Sequence, residues 1–218
     1  MNSSATTSQR TRIKFCGITS AQDAEQAIAL GVDALGFVLV PQSPRAIAAA
    51  DAAKIRAGLP PFISTVALFR NVGAATVRAA IKILQPDILQ FHGDEDVMFC
   101  EQFGLPYFKA VAMAKPQDLS ALATKFASAK ALLLDSHGPQ GMGGTGQTFD
   151  WTMVKAVNKP LILAGGLKPE NVAEGIRQVR PYAVDVSSGI ESAPGIKNFE
   201  KMRDFVQAVR LADTQRNP

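Results

Sequence analysis

Eight times after Thr11 a short apolar run passes into a stretch with helical spacing, and neither a long linker nor a shift in composition interrupts the series. The strand-like runs fall at 12–16, 34–40, 63–69, 88–91, 107–112, 131–134, 161–164 and 183–186. Unbroken alternation of strand and helix makes a parallel sheet covered by helices, and eight units favour a closed ring over an open doubly wound sheet. The expected fold is α/β, a single (β/α)8 TIM barrel over residues 12–218 behind a disordered polar tail, residues 1–11. With 218 residues, 47% of them hydrophobic, the chain supplies one sizeable core. Helices are expected after a cap at Thr19 or Ser20, through Val77, Ala80, Ile81 and Leu84, and near 95–103, 116–126, 151–157 and 199–209.

Two turns near the end of the chain carry the strongest local signal. Leu161 to Ala164 sit between Pro160 and the pair Gly165 Gly166, as a strand buried on both faces would. Pro169 suits a first helical turn, and Val172, Ile176 and Val179 recur at i, i+4 and i+7, so a helix is expected soon after the glycines. Such a turn can present backbone N–H groups to a phosphate. The pattern returns in Ala183 to Val186 followed by Ser187, Ser188 and Gly189. In (β/α)8 barrels the turns after strands 7 and 8 often form a phosphate site at the catalytic face.

Polar residues gather where the strands end. Cys16 is either a small core hydrophobe or a base whose use depends on its thiolate fraction. Lys14 shares its strand face at a different depth and is not an obvious helper. Asp135 either caps the glycine-rich loop after strand 6 or, with its pKa raised by burial, acts as a general acid. In a closed ring strands 6, 7, 8 and 1 are consecutive, so a phosphate held by turns 7 and 8 would have Asp135 on one side and Cys16 on the other. Arg45 is a solvated surface residue or a bidentate carboxylate ligand. Asp185, in an apolar strand, needs a structural donor or a ligand hydroxyl, and the ligand is the preferred reading. His92 is a satisfied structural histidine or faces the ligand, Cys100 packs within a helix, and Gly143, Gly144, Thr145 and Gly146 permit a mobile lid.

The bulk numbers exclude several classes. A net charge of +4 with 19% charged residues and no Lys/Arg run gives no nucleic-acid partner. Cys16 and Cys100, with only His92 and His137 beside them, make neither a disulfide framework nor a zinc set, so no metal is expected and the compartment is reducing. The polar start lacks the apolar core of a signal peptide, and no apolar run reaches ~18 residues, so a cytoplasmic protein without a membrane partner is expected. Nothing in the sequence signals an oligomeric state.

Lys14 to Thr19, Ser43 Pro44 Arg45, Phe91 to Glu95, Leu133 to Ser136, Gly143 to Gly146, Phe149 Asp150 Trp151, Leu163 to Leu167 and Asp185 to Glu191 appear in this order. Together they resemble the phosphoribosylanthranilate isomerase family of tryptophan biosynthesis over nearly all the chain after Thr11. The resemblance implies a cofactor-free Amadori rearrangement of a small phosphorylated substrate, with Cys16 as general base and Asp135 as general acid. It also implies that Arg45 holds the anthranilate carboxylate, that Gly166, Ser188 and their neighbours Gly165, Ser187 and Gly189 take the phosphate, and that Asp185 faces the sugar. Phe15, Phe91 and Asn198 depart from the residues usual in the family, and none of them is a proposed catalytic group. Three rivals share the fold: a histidine-pathway sugar-phosphate isomerase, against which Cys16 argues, a flavin-dependent barrel, and a non-catalytic phosphometabolite-binding barrel.

Overall fold

The computed structural model describes residues 10–136 and 148–216. Eight parallel strands close in chain order: β1 (Arg12–Cys16), β2 (Ala34–Val38), β3 (Ser64–Phe69), β4 (Ile88–Phe91), β5 (Tyr107–Ala112), β6 (Ala131–Asp135), β7 (Leu161–Leu163) and β8 (Ala183–Val186). Closure is made by β1 on β8, with Arg12 opposite Ala183 and Phe15 opposite Val186, while β2 sets Gly36 opposite Cys16.

The pleat decides which side chains enter the lumen. Val66, Phe108, Ala131, Leu133, Ile162 and Ala183 meet inside the ring, whereas alternate residues such as Phe15, Phe37, Leu132 and Val184 join the larger cluster under the helices. Counting in twos from Ala183 and Leu133 puts Asp185 and Asp135 on the lumen side, near the C-terminal strand ends. The same count from Ile88 carries Gln90 inward. A one-residue slip would exchange these groups for apolar ones, so the apolar clusters fix the register of the polar residues as well.

The helices are α1 (Ala21–Ala29), α2 (Ala49–Ala57), α3 (Ala74–Leu84), α4 (Val97–Glu101), α5 (Leu119–Lys125), α6 (Val172–Val179) and α7 (Phe199–Arg216). Ser20 caps α1 by accepting the Asp23 N–H. Asp96 and Asp118 cap α4 and α5 in the same way, which starts both helices later than the expected spans. The helix expected at 151–157 is a single 3-10 turn, Trp151–Met153. Asp150 accepts from both the N–H and the hydroxyl of Thr152, and Val154 is already extended, so the turn does not propagate. Conversely α7 outruns its expected end because Met202, Phe205, Val209 and Ala212 continue one buried stripe. A small antiparallel hairpin, β9 (Glu191–Ala193) with β10 (Ile196–Lys197), follows β8 and has no counterpart in the sequence reading.

Among the described residues no helix is long and apolar enough to cross a membrane. The glycines at 143–146 lie outside the described residues. Thr11, assigned to the tail by sequence, is 2% exposed, and its N–H and hydroxyl each donate to Asp213 of α7 at 2.7 Å. These bonds tie the first strand to the last helix. Asp213→Ala should therefore lower stability by about 1–3 kcal/mol, seen as a lower urea midpoint at an unchanged slope. An unchanged midpoint would mean that this tie carries none of the closure.

Candidate active site

A cavity of about 860 Å3, including its open mouth, occupies the C-terminal end of the barrel, and Cys16, Arg45, Arg70, His92, Asp135, Gly165, Gly166, Asp185, Ser187 and Ser188 all line it. Cys16, at the end of β1, is 6% exposed in a small apolar cluster with Val38, Val40 and Leu68. One pleat deeper, the Lys14 ammonium donates to Asp185 Oδ1 at 2.8 Å, with both side chains buried. Asp185 thus has a donor within the protein, where the sequence reading preferred the ligand. The Lys14 ammonium and the Cys16 sulfur both converge on the position a Cβ of Gly36 would take, so the difference in depth does not separate them. Burial pushes the Cys16 thiol up from its ordinary value of 9.0; Lys14 and Lys197 pull it down, and Asp185 adds to the rise. Burial alone would lower Lys14, but Asp185 and Cys16 carry it above its ordinary value.

Asp135 closes β6 and is 8% exposed, and its Oδ2 lies 3.2 Å from Nε2 of His92. The other ring nitrogen of His92 meets the Gln90 amide at 2.8 Å. With Gln90 Nε2 donating, the imidazole carries its proton on Nε2 and turns it to Asp135. His92 is therefore a bridge between Gln90, buried in the lumen, and Asp135.

Arg45 meets its expected carboxylate inside the chain: Nε and Nη2 donate to the two oxygens of Glu191 at 2.8 and 2.7 Å. The bidentate geometry anticipated for a ligand is used by the hairpin. Glu191 also accepts from Lys197 at 2.8 Å, and Lys197 donates to the Cys16 carbonyl at 2.7 Å and to that of Ser187 at 3.2 Å. Burial lowers the Lys197 pKa despite Glu191. For Glu191 burial works upward, yet the hydrogen bond from Arg45 and the charge and bond of Lys197 hold its carboxyl below the ordinary 4.5.

The glycine turn is forced by close packing. Gly165 and Gly166 have φ of +77° and +66°, and a Cβ on Gly165 would stand 2.2 Å from the Ser136 nitrogen. Helix α6 does not begin at Pro169 but after Asn171, which accepts from the Lys168 N–H and donates to the Gly166 carbonyl, fastening the turn. Of the residues expected at the phosphate, Gly165, Gly166, Ser187 and Ser188 line the cavity. Gly189 lies outside that lining; a Cβ there would fall 1.9 Å from the Leu167 carbonyl oxygen, so its bareness lets the two turns touch. Sequence reasoning passed over Arg70, Gln90 and Lys197 and gave Glu191 no role. Strand parity was a usable signal for Gln90, whereas Glu191 and Lys197 meet only through the unforeseen hairpin.

The closed barrel, with polar side chains gathered at the C-terminal ends of its strands, places the chain among the (β/α)8-barrel enzymes. The family model described as N-(5'phosphoribosyl)anthranilate (PRA) isomerase matches residues 13–208, and the chain belongs to that family. It is 48% identical over 207 residues to the N-(5'-phosphoribosyl)anthranilate isomerase of Stenotrophomonas maltophilia, covering 94% of this chain and 95% of that one. Its identity to the Acidithiobacillus ferrooxidans enzyme is 51% over 199 residues, covering 91% and 97%. Among solved structures, the phosphoribosyl anthranilate isomerase of Thermus thermophilus superposes with a TM-score of 0.84 at 38% identity, covering 92% of this chain and 99% of that one. Another, in complex with reduced 1-(o-carboxyphenylamino)-1-deoxyribulose 5-phosphate, has a TM-score of 0.78 at 33% identity, covering 92% and 98%.

The Arg45–Glu191–Lys197 cluster sets an acid limit on stability. Because the folded pKa of Glu191 lies below 4.5, its contribution is present above about pH 4.5 and is lost as the pH falls through the lowered value. Glu191→Gln leaves two buried cations without their carboxylate and should lower stability at neutral pH by about 3 kcal/mol, with a flatter acid limb. Urea melts across pH 3 to 7 read both effects; equal acid limbs in parent and variant would discount the cluster.

Proposed function

We propose that the barrel converts N-(5-phosphoribosyl)anthranilate to 1-(2-carboxyphenylamino)-1-deoxyribulose 5-phosphate, an Amadori rearrangement in tryptophan biosynthesis, with Cys16 as base and Asp135 as acid. The observation that carries this reading is the placement of the two groups on one cavity, Cys16 from β1 and Asp135 from β6, with the turns of β7 and β8 between them. The substrate phosphate binds the backbone N–H groups around Gly166 and Ser188, beside Gly165 and Ser187. Asp135 delivers its proton to the ribose ring oxygen as the bond from that oxygen to C1 breaks, leaving a protonated Schiff base on the anthranilate nitrogen. Cys16 then removes the proton from C2, the electron pair neutralises the iminium as an enolamine, and tautomerisation gives the ketone. His92 holds Asp135 toward the ring, and Asp185 faces the sugar. Since Glu191 uses Nε and Nη2 of Arg45, the anthranilate carboxylate meets the guanidinium at Nη1. We place the enzyme in the cytoplasm, whose reducing conditions suit the two free thiols.

The test follows the loss of substrate fluorescence on adding purified protein. Turnover by the parent is expected, with a fall of about a hundredfold or more in kcat for Cys16→Ser and for Asp135→Asn. The base works unprotonated, so a thiol pKa pushed above 9.0 predicts that kcat/KM still rises between pH 8 and 9. Full activity in either variant would remove that residue from the mechanism, and an inactive parent that binds the product analogue would make this a binding barrel.

A further inference from the structure

We propose that Lys14 is the positioning residue of the base: its ammonium, anchored by Asp185 and given room by Gly36, stands beside the Cys16 sulfur in the lumen and stabilises the thiolate when it forms. The inference rests on Cys16 being the base, and it deepens that reading by naming what makes the thiol usable. Register brings the three groups together, since the Cα partner of Lys14 on β8 is Asp185 and that of Cys16 on β2 is Gly36. A Cβ on Gly36 would stand 2.9 Å from the sulfur and 3.0 Å from both Cε and Nζ of Lys14. Sulfur and ammonium thus converge over the one strand position that has no side chain. The 2.8 Å bond to Asp185 keeps Lys14 protonated, so that it serves as a fixed cation and does not compete as a base.

Two other cations of the described residues near this end of the barrel are bonded elsewhere. Lys197, from the hairpin, donates to the Cys16 and Ser187 carbonyls and to Glu191, and Arg45, after β2, pairs with Glu191. Arg70, His92 and Asp135 face the same cavity from β3, β4 and β6, and β2 presents only Gly36 and Val38. A thiolate in this apolar cluster without a neighbouring charge would be strongly disfavoured, because burial opposes the charged form.

The experiment measures carboxamidomethylation of Cys16 by iodoacetamide against pH, read on its peptide by mass spectrometry so that Cys100 does not interfere. It needs no substrate, and its result is separable from that of the isomerase assay. Lys14→Met should slow alkylation at pH 8 about tenfold or more, as a rise of about one unit in thiol pKa would. Lys14→Met/Asp185→Asn removes both buried charges together and keeps the test valid if the single variant does not fold; it should slow alkylation in the same direction but by less, because Asp185 itself raises the thiol. In Lys14→Met the alkaline rise of kcat/KM should move to higher pH with KM little changed. An alkylation profile within about twofold of the parent in folded Lys14→Met, or one in the double variant that is no slower than the parent, would overturn the proposal, even where activity is lost. A shifted profile in a protein without isomerase activity would leave the Lys14–Cys16 coupling standing and remove only the catalytic reading.

Discussion

The lateral pairing of β1 with β8 is the contact on which the site depends, because it turns a row of strands into a ring with a lumen. A ring has no free sheet edge, and its strands are buried on both faces, one by the helices and one by each other. That double burial explains runs such as Leu132, Leu133 and Leu134, all 0% exposed. It also explains why the polar side chains Asp135, Asp185 and Gln90 of the lumen lie toward one end. Deep in the lumen a polar group would lose its water without recompense, whereas at the C-terminal mouth it meets the cavity and the loops. Functional chemistry and tolerance for polarity coincide at that rim.

Among the described residues three buried ion clusters hold the rim in shape, one between two strands and two at junctions between strand and loop. Lys14 with Asp185 spans β1 and β8. Arg45, Glu191 and Lys197 join the loop after β2, the hairpin after β8 and the carbonyl at the end of β1. Lys109 lies on the opposite face of β5; it donates to the Gly93 carbonyl and pairs with Glu95, which itself accepts from the N–H groups of Asn71 and Gly93. Buried pairs of this kind return little net stability, since desolvation opposes their attraction, but losing one partner strands the other. Their effect is geometric. They fix loops whose positions apolar packing alone would leave loose, and Cys16, Arg45 and the β8 turn inherit that order.

The strands were legible because double burial writes itself as continuous apolar runs, and β5 and β8 fall on the residues that hydrophobicity marks. Helices were less so. The stretch at 151–157 has helical spacing but ends after one turn, because Asp150 and Thr152 satisfy each other locally and Trp151 is drawn against Gly175 of α6. Cys16, Asp135 and Asp185 could be placed on the lumen from strand ends and ring order alone. Their partners could not: Glu191 reaches Arg45 across 146 positions, and Lys197 reaches the Cys16 carbonyl across 181. Such pairs leave no local periodicity. Lys14 is the instructive case, since parity put it on the face of Cys16, yet only the bare Gly36 opposite shows how a long flexible side chain closes the difference in depth.

In the proposed mechanism a thiol base and a carboxylic acid face opposite demands in one cavity, and Cys16 and Asp135 have different neighbourhoods there. Abstraction of a carbon-bound proton favours a strong base, and burial supplies strength by raising the thiol pKa while shrinking the fraction ionised. Cations at Lys14 and Lys197 offset part of that loss, and Asp185 limits the offset by partnering Lys14, so the thiol is neither fully ionised nor inert. Asp135, three strands away around the ring, is set against an imidazole. The imidazole turns its Nε2 toward that carboxyl while Gln90 holds the other ring nitrogen, so Asp135 is kept facing the cavity. Base strength at one wall and the placing of the acid at the other therefore come from different neighbours, and the two can be tuned by substitution without sharing a residue.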